Sequence, residues 1–109
     1  AMLSRHANNL YGMSRQIERA ENTARLLDVT YQMSLLPYRV TDAAQSWAEP
    51  WALPLVINGL ASSYYARNPG PLTSEKVLRF MVTDSGNPSS ICSLMHAARE
   101  NGRSMRGVM

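Results

Sequence analysis

This sequence predicts an all-α fold: an antiparallel bundle of about four helices with one long N-terminal helix. Three observations predict it. Apolar residues recur three and four apart through the first third of the chain. The later helical stretches are joined by short connections, which favour antiparallel neighbours. No stretch alternates apolar and polar residues with a strand's two-residue period, and no internal repeat occurs. With 109 residues, the chain suits one modest helical domain spanning 1–109 and is too short for two. Its 45% hydrophobic and 17% charged residues give an ordinary globular balance rather than a disordered one.

The first helix is expected from Ser4 to Leu35, with Ser4 as N-cap and Pro37 ending it. Leu10, Met13, Ile17, Ala20, Ala24, Leu27 and Tyr31 form the expected seam, and the small Ala20 and Ala24 invite a close neighbour. Leu26, Val29 and Met33 add a second apolar patch, so the later half is expected to touch two neighbours. Residues 38–49 have no period and read as a loop. Pro50 or Pro54 then opens a second helix burying Leu53, Ile57, Leu60 and Tyr64. Asn68-Pro-Gly-Pro71 breaks it. Thr73 caps a third helix with Val77, Leu78, Met81 and Val82 inward, and residues 84–87 turn the chain. Asn87-Pro88 starts the last helix, with asparagine as cap and proline in the first turn. Its seam is Ile91, Met95, Ala98, Gly102, Met105 and Met109, again small in the middle.

Charge and cysteine content narrow the function classes. The formal charge is +3, and Lys76 is the only lysine. An arginine excess suits phosphate or carboxylate recognition. Here the arginines alternate with acids instead of forming a run, so base composition of the genome explains them more simply. The same alternation, with few aromatics beside it, disfavours nucleic-acid binding. The single Cys92 permits no internal disulfide, which makes a reducing cytoplasm the expected compartment. No apolar run reaches membrane-spanning length, and the first residues lack the apolar core of a signal peptide. Ala1 before Met2 reads as a cloning remnant, and the helical spacing still running at Met109 suggests a piece of a longer protein.

The candidate chemistry lies on helix 1. Ser14, Glu18, Glu21 and Arg25 share one flank of the seam, and Arg15 and Asn22 continue around it. The last helix offers Arg99, Arg103 and Arg106, with Glu100 alongside. Antiparallel packing would bring acids to arginines. One reading is a structural ion-pair lattice, each exposed pair contributing about 0–1 kcal/mol. The other is a polar pocket for an anionic or peptide-like ligand, bound by Arg15, Glu18, Arg19, Glu21, Asn22, Arg25, Arg99 and Arg103. Glu18 and Glu21 are also the weak candidates for an acid–base pair, since adjacent carboxylates split their pKa values. Metal binding is not expected. Bundle di-metal sites use Glu-x-x-His, and neither His6 nor His96 follows a glutamate by three. The turns at Gly70 and Gly86 lack phosphate-loop spacing, and no cofactor is expected. Cys92 is expected to be a packed small residue, His96 a polar face residue, and Trp47 and Trp51 core anchors.

Several motifs carry a family resemblance: Met2-Leu3-Ser4-Arg5, Leu10-Tyr11, Arg15, the run from Glu18 to Val29, Met33 to Pro37, Asn87 to Ser90, and Ala98 to Asn101. Together they resemble the bacterial alpha-E domain family, which is all-helical and of unknown function. Its members are longer, so the resemblance implies that this chain is the N-terminal part of a larger alpha-E domain. It also implies a genomic setting beside, or fused to, circularly permuted ATP-grasp and transglutaminase-like proteins. An accessory or binding role in forming a peptide or amide-linked product would follow. The partner would be an ATP-grasp protein or a peptide-like ligand, with Glu18, Arg19, Glu21 and Arg99 as recognition residues. Two alternatives stand beside it: an enzyme acting on a peptide-like substrate through Glu18 or Glu21, and a purely structural bundle self-associating through exposed seams. Gly12 stands where the family usually has tryptophan, and Ser14 where it has glycine. A glycine at position 12 is expected to loosen the helix and reshape any cavity beside it, costing about 1 kcal/mol relative to alanine.

Overall fold

The computed structural model describes residues 2–36 and 49–104. Helix α1 spans Met2–Ser34. A 3-10 turn at Pro50–Ala52 leads into α2 (Leu53–Ile57), followed by α3 (Ala61–Arg67), α4 (Ser74–Val82) and α5 (Ile91–Arg103). Among the described residues there is no strand. The expected loop before Glu49 and the side chains of Pro37, Trp47, Met105, Arg106 and Met109 lie outside the described residues.

Helix α1 begins ahead of Ser4, which is therefore helical and exposed rather than a cap. Its buried positions are Ala20, Thr23, Leu27 and Thr30. Their three-four-three spacing keeps one face toward the rest of the molecule. The expected seam is thus rotated: Ala20 and Leu27 belong to it, whereas Leu10, Ala24 and Tyr31 are exposed. Two threonines take their place, and Thr30 hides its polarity by donating its hydroxyl to the Leu26 carbonyl at 2.8 Å.

The most extensive pairing in the fold is α1 with α5. It is antiparallel. Ser89, just before α5, meets Arg19, while Asn101 near the other end donates its amide to Gln16 at 2.7 Å. Small residues allow the approach. Ala20 and Ala98 are both buried, and a Cβ at Gly102 would stand 3.2 Å from the Met13 sulfur. A Cβ at Gly12 would stand 3.1 Å from the Asn101 amide nitrogen, so position 12 faces α5. Met95, expected on the seam, is exposed.

The core lies at the other end of α1. Leu27, Trp51, Leu55, Tyr64, Val77, Phe80 and Met81 form one buried cluster. Tyr64 stands edge-on to Phe80 with centroids 5.5 Å apart, a favoured aromatic geometry. Its hydroxyl is buried without a hydrogen bond of good geometry. Burial pushes that phenol above its ordinary pKa, with the Thr73 backbone pulling the other way.

Where one second helix was expected, the chain makes a 3-10 turn and two short helices. Gly59 has φ +66°, a left-handed conformation that ends α2 and lets α3 leave in a new direction. The burial pattern changes accordingly. Pro54, Leu55 and Tyr64 go inward, and Leu53 and Ile57 stay out. Thr73 does cap α4, accepting from the Lys76 amide at 3.2 Å. Val77 and Met81 are buried as expected, Phe80 joins them, and Leu78 is exposed. The cap of α5 is Ser90, not Asn87. Asn87 instead closes the preceding turn from inside: its amide donates to the Phe80 carbonyl at 2.9 Å and its oxygen accepts from the Ser89 amide at 3.0 Å. Arg67 straps α3 to the same turn, donating twice to Asp84 at 2.8 Å.

Candidate functional site

The charged cluster of α1 is exposed throughout, and two of its members, Arg19 and Asn22, border a recess. Glu18, Glu21, Arg15 and Arg25 are exposed. Arg15 lies 5.9 Å from the Tyr11 ring centroid, and Arg25 donates to the Asn22 side-chain oxygen at 3.0 Å. On α5, Arg99 is exposed and Arg103 pairs with Glu100 at 3.3 Å on its own helix. Among the described residues, neither Glu18 nor Glu21 reaches an arginine of α5, so the expected inter-helix lattice does not form there. The two carboxylates stand in solvent rather than in an enclosed cleft.

Arg19 and Asn22 do something different. They line a recess of about 320 Å³, together with Thr23 and Leu26 one turn on. Its opposite wall comes from the end of α2 (Ile57 and Asn58), from Met81 on α4, and from Ser89 ahead of α5. Four elements therefore converge on it. Arg19 crosses toward Ser89 and donates to its hydroxyl oxygen at 3.1 Å. Asn58 uses its amide nitrogen on the Pro54 carbonyl at 2.7 Å, which leaves its oxygen as an acceptor. The wall carries one cation and no acid. It combines hydrogen-bonding groups with apolar Leu26, Ile57 and Met81, the usual composition of a small-molecule site.

Helical spacing placed Asn22 among the site candidates, and the charged cluster of the family resemblance placed Arg19 there. Spacing did not point to Thr23, Asn58 or Ser89. Thr23 is 8% exposed and hides among apolar positions on α1. Asn58 sits in an Asn-Gly pair, a turn signal that marks the corner bringing it to the recess. Gly12 lies against Asn101 and does not line the recess.

A second, open groove of about 550 Å³ runs along the other side of α5, with Cys92 and His96 on its wall. Cys92 is exposed there rather than packed, because it falls on the outer face of α5, between buried Ser90 and Leu94. Among the described residues, no three histidine, cysteine, aspartate or glutamate side chains gather as they would around a metal ion. No described helix is long and apolar enough to cross a membrane.

Residues 2–109 match the family model described as Alpha-E, a predicted alpha-helical domain with a conserved ER motif. No curated protein and no solved structure matches the chain. Its one Glu-Arg dipeptide is Glu18-Arg19. The match spans essentially the whole sequence, and the chain belongs to the Alpha-E family.

Proposed function

We propose that this Alpha-E domain is a binding component of an ATP-grasp-linked pathway that forms peptide or amide bonds. The observation carrying this reading is the position of Glu18-Arg19. Both residues are exposed, but the arginine of the dipeptide borders the recess and the glutamate does not. A motif split in this way serves two contacts at once. Arg19 holds a ligand group inside, and exposed Glu18 and Glu21 meet a basic surface on a partner protein. Solvated acids steer such an encounter and set its orientation. The domain acts in the cytoplasm alongside its partner.

Capture of a circularly permuted ATP-grasp protein tests this. Immobilised wild-type chain should retain it, and the Glu18→Gln/Glu21→Gln double variant should retain much less with an unchanged melting temperature. Absence of capture, or equal capture by both chains, would remove the partner role.

A further inference from the structure

We propose that the recess binds the carboxylate end of a short peptide or acylated amino acid. The inference rests on the binding reading above and adds the chemistry of what is bound.

Three independent features select an anion. The first is Arg19, the one charge on the wall. Its guanidinium spends a single N–H on Ser89, which leaves donors in the fork geometry that suits a carboxylate. The second is the amino end of α5, a 13-residue helix that starts just beyond Ser89, where the helix dipole favours negative charge. The third is Thr23. Most of the residue is buried, it lies on the recess wall, and its hydroxyl, which is not among the buried unpartnered atoms, makes no hydrogen bond among the described residues. Thr30, one face-repeat further along α1, returns its hydroxyl to the backbone. Thr23 does not. Its proton is therefore free to be given to a ligand oxygen in the recess in place of solvent.

The remaining wall narrows the ligand further. Asn22 has its oxygen occupied by Arg25, so its amide nitrogen is the group it can offer, another donor to an anion. Asn58 offers the opposite, a free amide oxygen, which suits the N–H of an acyl-amino acid. Leu26 and Ile57 give an apolar surface for an aliphatic side chain. The recess volume, near 320 Å³, is at the small end of ligand sites and fits one or two residues rather than a long peptide.

The test is a titration of 15N-labelled protein with N-acetyl-alanine and, separately, with its neutral methylamide. The carboxylate should shift the amide resonances around Arg19, Thr23 and Ser89 saturably, and the methylamide should not. Arg19→Gln should weaken the carboxylate about tenfold, the loss expected for one charged hydrogen bond. Thr23→Val, which keeps the shape of the side chain, should weaken it by about threefold, as for a neutral one. Equal binding of both compounds, shifts elsewhere on the surface, or indifference to both substitutions would overturn the proposal. Partner capture that persists without carboxylate binding sinks this inference alone. Carboxylate binding without partner capture supports it and sinks the partner role instead.

Discussion

Around Trp51, Tyr64 and Phe80 the chain buries large side chains almost completely, whereas along the first turns of α1 the residues Leu3, Leu10 and Tyr11 stay exposed. The first region draws on five elements folded on one another. The second consists of α1 with α5 along one side, held by small residues and a few polar bonds such as Gln16 to Asn101. The contrast shows that one continuous helix serves two mechanical regimes. Its later half is a wall of a core, and its earlier half is a strut with one brace. The recess at Arg19 lies between them.

Four tests can break or sharpen that contrast. The largest effect is expected in the core. Phe80→Ala should cost about 3–5 kcal/mol in a urea titration, enough to unfold a marginal domain. A loss below about 1 kcal/mol would mean the cluster is not the main source of stability. Next is Asn87→Ala, which strips the hydrogen bonds from the Phe80 carbonyl and the Ser89 amide. A cost of about 1–3 kcal/mol is expected for leaving a buried carbonyl unpaired. On the strut, a double-mutant cycle between Gln16→Ala and Asn101→Ala should return a coupling of about 0.5–1.5 kcal/mol. A larger coupling would show that the strut is bound as firmly as the core.

The smallest effect is the pH response of the strap between α3 and the 84–86 turn. The Arg67 hydrogen bonds hold the Asp84 carboxyl below its ordinary value, against the opposing pull of desolvation and with help from the Gly86 amide. A carboxyl depressed in the folded state stabilises that state above its unfolded pKa of about 3.9. The contribution is lost as pH falls through the depressed folded value. Wild type should therefore lose melting temperature more steeply than Arg67→Ala as the pH falls below about 4. Parallel curves would mean the strap carries no linkage.

The helical class was legible because periodicity and capping chemistry are local. Thr73 could be read as a cap from a few neighbouring residues, and a helix start was legible near Asn87-Pro88, although the cap proved to be Ser90. The phase of the α1 seam was not legible. Alanine and tyrosine at 24 and 31 look more apolar than threonine at 23 and 30, yet Thr30 can bury itself by bonding to its own backbone. The corner at Gly59 was written in the sequence as Asn-Gly but was overridden by the apolar spacing on either side. The candidate site was half legible. Arg19 and Asn22 stand out on one helix, but Asn58 and Ser89 reach them from elements 36 and 67 positions further along the chain.

The length of α1 has a hydrodynamic consequence. Thirty-three helical residues make a rod of about 50 Å, and the radius of gyration is 17.4 Å where a compact chain of this size would have about 13 Å. Such a particle tumbles anisotropically and drags more solvent than its mass suggests. On a sizing column a single copy will elute early, near the position of a globular dimer. Amide relaxation along the rod axis will likewise mimic a heavier protein. Stoichiometry for this chain must come from scattered light or sedimentation equilibrium, which weigh the particle rather than its friction.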